Sequence, residues 1–308
     1  MNLIHNPIWP SPGQPPGLIF PAHQITAARY QQALACLPAL GVENYREYFT
    51  AEAFVSQGQA INLAGPDDWR AKMMNDAAGR PGLIWAVRGG FGSSRLLPRI
   101  NWRAWLDPRP CLLGFSDITA LLLHLANMGL VSLHGPTLSQ TPYLDQASRD
   151  DLYRLLAGRA LWPQELSGRV IEKGSAQGVL LGGNLTLLCH LLGTAYEPRL
   201  EGAVLFLEEA NEAPYCLDRY LTKLELAGIP DKITAVALGG LWGYYEKISV
   251  EECEQRRDLV FRRLRAWGKP FLADLPFGHG QSNRLLPVGA EAALEGGRLT
   301  VGISCGTK

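Results

Sequence analysis

The stretch from Cys111 to Met128, CLLGFSDITALLLHLANM, constrains this chain most. Its opening residues, Cys111-Leu112-Leu113-Gly114-Phe115, form a short apolar run of the kind a buried strand makes. After Ser116-Asp117 the apolar residues fall at Ile118, Leu121, Leu122, Leu125 and Met128, which is helical spacing. Ser116 therefore stands where a strand hands over to a helix. A hydroxyl on so sharp a turn stands clear of the sheet, and the next amide lies at a helix N-terminus. Gly114-Phe115-Ser116-Asp117 has the form of a nucleophile elbow that lacks the second glycine of G-x-S-x-G. The alternative is a plain helix N-cap, a role that serine and aspartate both fill well.

Strand and helix patterns alternate around this turn. Gly17 to Phe20 reads as a strand ending at Pro21-Ala22-His23, and Ile25 to Leu40 as a helix closing on Gly41. Val42 to Tyr45 is a weakly signalled second strand. A helix follows from Asp67, which can cap it, to Ala78, with Trp69 and Met73 on one face. Gly82 to Val87 is a strand, and Leu130 to Leu133 another, ending at His134-Gly135-Pro136. This alternation predicts an α/β fold with a parallel sheet covered by helices. Sites in such sheets lie outside the carboxyl ends of the strands. That places His23, Arg88-Gly89-Gly90, Ser116 and His134 on one rim.

A chain of 308 residues favours two domains. Arg149 to Leu156 is a further helix, and residues 158 to 177 are turn-rich and polar. The expected division runs through that segment, giving residues 1–160 and 161–308. The second part reads as a strand over Gly178 to Leu181, then Gly182-Gly183-Asn184 and a helix through His190. Ala203 to Leu207 is a strand ending at Glu208, Tyr215 to Ala227 a helix and Ile233 to Leu238 a strand. Val250 to Trp267 is a charged amphipathic helix, Phe271 to Ala273 a strand, and short strands follow His279.

Bulk properties exclude several classes of function. Lys plus Arg and Asp plus Glu both total 29, so no net field favours nucleic acid or an anionic membrane. The six cysteines are scattered, Cys305 the last of them, with no C-x-x-C pair to indicate zinc or redox chemistry. No signal-peptide pattern opens the chain and no apolar run reaches the roughly 18 residues of a membrane span. A cytoplasmic protein without metal or cofactor, acting on a small neutral or zwitterionic substrate, is expected.

Three further segments carry chemistry. Gly89-Gly90-Phe91-Gly92-Ser93-Ser94-Arg95 is a glycine-rich loop after a strand, without either phosphate-binding glycine motif. It suits close backbone approach to a substrate, with an amide aimed at an oxyanion, or equally a tight turn. Glu208 and Glu209 end a strand, and a strand-end glutamate can orient a histidine; a solvated acidic turn is the alternative. His279 lies between two glycines in a loop, whereas His124 and His190 sit in apolar helices and His5 in the irregular lead-in.

Together the segments RGGFGSSRLLPRI, LLGFSDITALLLHL, LHGPTL, GGNLTLL, LFLEEANEAPYCLDRYLTKLELAGI and FGHGQSNRLLPVG resemble the ordered signature blocks of the LD-carboxypeptidases. This serine peptidase family includes murein tetrapeptide carboxypeptidases and microcin C immunity peptidases. The resemblance covers about residues 65 to 290. It implies an N-terminal parallel-sheet α/β domain carrying the nucleophile and a smaller, β-rich C-terminal domain carrying the other two members of a triad. Ser116 matches the nucleophile, His279 the general base and Glu208 the orienting carboxylate, with Glu212 the runner-up. The amides of Gly90 and Asp117 match the oxyanion hole.

Gly89, Phe91, Arg95 and Asn184 are candidate substrate contacts, Arg95 for a terminal carboxylate. Phe91 departs from the tyrosine usual in the family, and Pro21-Ala22-His23 departs from its usual first-strand end. The implied activity is removal of the terminal D-alanine from cytoplasmic murein tetrapeptides during peptidoglycan recycling. A muropeptide or small peptide is then the substrate, and a homodimer is expected, although no residue pattern specifies one. A microcin immunity-type peptidase and a non-catalytic muropeptide-binding paralogue are the rival readings. Glutamine amidotransfer is disfavoured, because it requires cysteine where this chain has Ser116.

Overall fold

A computed structural model describes residues 6–7, 9–54, 61–159, 161–241 and 249–302. His5 and Cys305 lie outside the described residues. The chain folds as an α/β protein built on two sheets. The first gathers β1 (Gly17–Ile19), β2 (Arg46–Glu47), β3 (Leu83–Ala86), β4 (Cys111–Gly114) and β5 (Ser132–His134), all parallel. The second contains β6 (Gln164–Ser167), β7 (Arg169–Glu172), β8 (Ala176–Asn184), β9 (Val204–Glu208), β10 (Ala235–Leu238) and β11 (Phe271–Ala273). The chain then returns to the first sheet as β12 (Leu286–Val288), antiparallel to β5, before the hairpin of β13 (Glu291–Glu295) and β14 (Arg298–Val301) completes the second.

Strands β3 and β4 are buried along their whole length. Central parallel strands are covered on both faces, which is why they read as unbroken apolar runs and not as alternation. Helix α1 (Ala27–Leu34) is shorter than the periodicity predicts. The chain resumes as a 3₁₀ turn at Pro38–Leu40 and stops at Gly41, with φ 75°. Proline lacks the N–H that a continuous helix would need there. Helix α2 (Asp67–Ala78) has the predicted bounds, but its N-cap is Pro66, and the Asp67 carboxylate instead pairs with Arg70 and Arg95.

The elbow strand passes through a 3₁₀ turn, Ser116–Ile118, into α3 (Thr119–Asn127). Helix α4 (Gln146–Leu156) begins earlier than expected because Asp145 caps it, accepting from the Ser148 N–H. The polar segment read as turns after residue 158 holds β6 and β7. These are the two edge strands of the second sheet, where polar, half-exposed residues are tolerated. The remaining helices, α5 (Leu185–Leu191), α6 (Pro214–Leu226), α7 (Ile229–Lys232) and α8 (Val250–Arg265), belong to the second half.

The sheets meet where β4 and α3 face β8. Gly183, at φ 131°, packs so tightly on Thr119 that a Cβ would lie 2.6 Å from Thr119 Oγ1. Thr119 Oγ1 in turn accepts from the Asn184 N–H at 3.1 Å. This contact sets the carboxyl ends of β4 and β8 side by side.

Candidate active site

Ser116 follows β4 with φ 62°, a left-handed conformation. For a non-glycine residue that costs about 1–3 kcal/mol and must be held by its surroundings. The strain lifts Ser116 out of the sheet while Phe115 and Asp117 on either side stay buried. The Asp117 carboxylate accepts from the Ser93 N–H at 2.7 Å, and Ser93 Oγ donates to the Asp117 carbonyl. Burial pushes the Asp117 carboxyl up, against the Ser93 and Gly92 hydrogen bonds and the Arg70 charge.

The glycine-rich loop is pressed onto this turn. A Cβ on Gly89 would come within 3.1 Å of both the Phe115 carbonyl and Ser116 Cβ. The Gly89 carbonyl accepts from the His23 N–H at 3.2 Å. In a trans peptide the Gly90 N–H therefore points the opposite way. Gly90, at φ 98°, leaves no room for a Cβ against His23.

Arg70, fully buried on α2, fixes the loop from beneath. It donates to the carbonyls of Pro21, Gly65 (3.1 Å) and Gly92 (3.0 Å), and pairs with Asp67. Burial pulls the guanidinium down from its ordinary value, and the Asp67 carboxylate pushes back. Nothing in the sequence pattern marked Arg70 beyond its place on the inner face of a helix.

His279 bridges the two halves. Its Nε2 lies 3.1 Å from Ser116 Oγ, and its Nδ1 lies 2.6 Å from Glu208 Oε2. Glu208 ends β9 and is fully buried. Burial opposes its charge, but the adjacent His279 outweighs this and holds the carboxyl below its usual range. An ionised carboxylate only accepts, so Nδ1 carries the proton and Nε2 is left to accept from Ser116. Gly278, at φ 109°, permits the approach, since a Cβ there would lie 3.0 Å from Glu208 Cβ.

The histidine loop is clamped from behind. The Gly278 N–H donates to Asn283 Oδ1 at 3.0 Å, and Gln140 Nε2 donates to the Gly280 carbonyl at 3.1 Å. Neither Asn283 nor Gln140 stood out in the sequence. Asn283 lies within the segment FGHGQSNRLLPVG, which assigns it no role, and Gln140 lies in a 3₁₀ turn, Leu138–Tyr143.

Around Ser116 and His279 opens a cavity of about 330 Å³, lined among others by Arg29, Arg88, Gly89, Gly90, Asn184 and Glu212. Asn184 caps α5 by accepting from the Leu187 N–H and donates to Glu209 at 2.9 Å. Glu212 lines the cavity, while the carboxylate on the histidine Nδ1 is that of Glu208.

Two expected substrate contacts are not among the lining residues. Arg95 turns away to Asp67, with Nη2 at 2.8 Å, and the cavity's cations are Arg88 and Arg29 instead. Phe91 is 46% exposed on the outer side of the loop, because the close packing of Gly89 and Gly90 inward carries the next side chain outward. On the predicted rim, His23 supports the loop through its backbone. His134 is fully buried beneath Phe115, with 5.8 Å between ring centroids. Among the described residues no group of three His, Cys, Asp or Glu side chains is placed to hold a metal ion.

Comparison with known proteins covers most of the chain. Residues 17–135 match the model of the LD-carboxypeptidase N-terminal domain, and residues 177–294 that of the LD-carboxypeptidase C-terminal domain. A putative carboxypeptidase of Synechocystis is 36% identical over 83% of this chain and 85% of its own. The murein tetrapeptide carboxypeptidase of Pseudomonas aeruginosa is 34% identical over 77% of this chain and 80% of its own. The crystal structure of muramoyltetrapeptide carboxypeptidase from Oxalobacter formigenes superposes with a TM-score of 0.78 at 27% identity, covering 93% of this chain and 99% of that one.

Proposed function

The chain belongs to the LD-carboxypeptidase family, and from that premise we propose that it is a serine carboxypeptidase acting through Ser116, His279 and Glu208. The observation that carries this reading is the continuous hydrogen-bonded line Ser116 Oγ–His279–Glu208, at 3.1 and 2.6 Å. His279 Nε2 takes the Ser116 proton as Oγ attacks the carbonyl of an L-to-D peptide bond. Glu208 fixes the imidazole tautomer and stabilises the imidazolium that forms. The Gly90 and Asp117 amides receive the oxyanion.

Proton return from His279 to the leaving nitrogen releases the terminal amino acid and leaves an acyl-serine. Water activated by the same ring then hydrolyses the ester. The proposed substrate is a murein tetrapeptide that loses its terminal D-alanine during cytoplasmic peptidoglycan recycling. Relatives and a structural neighbour named for murein peptides support this choice.

The cavity volume of about 330 Å³ supports it too. It lies at the small end of the roughly 300–1,000 Å³ of ligand sites, room for the end of a peptide and not for a long extended segment. Mass spectrometry of the protein incubated with tri-, tetra- and pentapeptide muropeptides tests the reading. The tetrapeptide should yield the tripeptide and free D-alanine. Internal cleavage, or no cleavage of any of the three, would exclude it.

A further inference from the structure

Three phenylalanines converge on a histidine that the reaction does not use. His134 ends β5, opposite Gly114 of β4 and Leu286 of β12, and is fully buried. Its ring centroid lies 5.1 Å from that of Phe206, 5.8 Å from Phe115 and 6.1 Å from Phe277, edge-on to each. Each of these rings belongs to a segment that carries one member of the triad. Phe115 precedes Ser116, Phe277 lies two residues before His279, and Phe206 lies two residues before Glu208 on the same face of β9. Two residues along a strand span about 6.6 Å, so His134 stands one side-chain step from Glu208.

Polar atoms on both residues are left over. Glu208 gives Oε2 to His279, but its Oε1 is buried and meets no donor, and neither ring nitrogen of His134 has a partner among the described residues. A buried carboxylate oxygen without a donor is costly. Burial pushes the His134 ring down to about 4; of the titratable groups that face it, the Glu208 carboxylate pushes back and His279 adds to the fall. Glu209, the next carboxylate along the chain, is engaged by Asn184, Thr186 and the Ala210 N–H. At neutral pH His134 is therefore uncharged, with one ring nitrogen a donor and the other an acceptor. A buried donor and a buried acceptor a short gap apart, each without a partner, suit a single water between them.

We propose that His134 is a positioning residue of the triad, donating a ring N–H through one bridging water to Oε1 of Glu208. Its effect on turnover rests on the serine carboxypeptidase reading. With Oε1 anchored, the carboxylate cannot rotate about its own axis, and Oε2 stays on His279 Nδ1 while the imidazolium forms. Without that donor the carboxylate anion is less well stabilised and draws the His279 ring toward its protonated form. Glu208 and His279 titrate as a pair, so the acidic limb of kcat/KM, which reports that pair in the free enzyme, then moves to higher pH.

Two substitutions test this. His134→Leu removes the donor and keeps an apolar filling, whereas His134→Gln keeps an N–H. On a murein tetrapeptide ending in D-alanine, His134→Leu should lose about 10-fold or more in kcat with KM little changed, and its acidic limb should move to higher pH. His134→Gln should recover most of the rate and the original limb. A His134→Leu protein that melts like the unsubstituted one and keeps both kcat and the limb would leave the ring a packing role, overturning the assignment and leaving the carboxypeptidase reading intact. Nitrogen-15 NMR of the histidine-labelled protein needs neither turnover nor a folded His134 variant. His134 should hold one neutral tautomer across neutral pH, and its ring signals should shift in Glu208→Gln. Mixed tautomers, or signals unmoved by Glu208→Gln, would overturn the assignment. The expected signals in a protein that hydrolyses no muropeptide would uphold the link to Glu208 and refute the carboxypeptidase reading.

Discussion

Ser116 and Glu208 each occupy a position unfavourable in isolation. Ser116 holds a left-handed φ of 62°, and Glu208 is a fully buried carboxylate. Both are tolerated because His279 joins them: the ring offsets the desolvation of Glu208 and meets the hydroxyl that the strained turn presents. Glu208→Gln should therefore lower turnover far more than Glu212→Gln does. Steady-state rates in the reverse order would move the orienting role to Glu212. The cavity's arginines give a second expectation. Amidating the terminal carboxylate of the substrate should reduce kcat/KM about 10-fold or more, as expected when a charge-assisted hydrogen bond of about 1.5–3 kcal/mol is lost. In Arg88→Gln that penalty should shrink, and in Arg95→Gln it should persist. A penalty that follows Arg95 would contradict the placement of the two side chains. In the sequence Ser116, Glu208 and His279 each sit at a recognisable junction, a strand-to-helix turn, a strand end and a Gly-His-Gly loop, but each junction also had a plain structural reading, and only the family resemblance joined them as a triad. For the terminal carboxylate the sequence pointed to Arg95, whereas Arg88 is the one that lines the cavity. Both flank the glycine loop, and the difference depends on Asp67, 28 residues before Arg95, drawing Arg95 away.

At the level of elements, β12 joins the two halves most directly. Leu286–Val288 come late in the chain yet pair antiparallel with β5 of the first sheet, with Leu286 opposite His134. Leu285 packs beside them, so close to Gly135 that a Cβ there would meet Leu285 Cδ2 at 2.4 Å. A fragment of residues 1–160 would leave the β5 edge unpaired and its apolar neighbours uncovered. Such an edge is a template for aggregation. The fragment should form soluble aggregates or precipitate in size-exclusion chromatography, and adding residues 161–308 in trans should reduce this. A monomeric fragment with a cooperative melt near that of the intact chain would show that β12 is dispensable. Helix α2 was legible because its buried residues recur at helical spacing, and strand β4 because it is an unbroken apolar run. The partner of β12 was not, since three apolar residues specify a strand without specifying a sheet. Edge strands β6 and β7 were missed for a related reason: a half-exposed, polar strand carries the composition of a turn.

Across the whole molecule, the buried layer between the sheets should govern acid stability. His134 lies there among Phe115, Phe206 and Phe277, and burial pushes its imidazole down to about 4 from 6.5. The unfolded chain thus binds a proton that the folded protein refuses as the pH falls from about 6.5 toward 4. Stability is lost over that window, by up to about 3 kcal/mol from this group. Glu208, held below its usual range, adds a contribution present at neutral pH and lost as the pH drops through its folded value. Urea midpoints should fall between pH 6.5 and 4.5, and a non-titrating His134→Gln variant should show a shallower decline. Equal slopes would place the acid sensitivity elsewhere. The central claim, that Ser116 is the nucleophile of a carboxypeptidase, is tested most directly by the rate of D-alanine release from a murein tetrapeptide by the unsubstituted protein and by Ser116→Ala, with matched thermal melts. The unsubstituted protein should release D-alanine, and the variant should lose several orders of magnitude in rate, as when a triad serine is removed. A folded Ser116→Ala protein that releases D-alanine at a near-normal rate would contradict it.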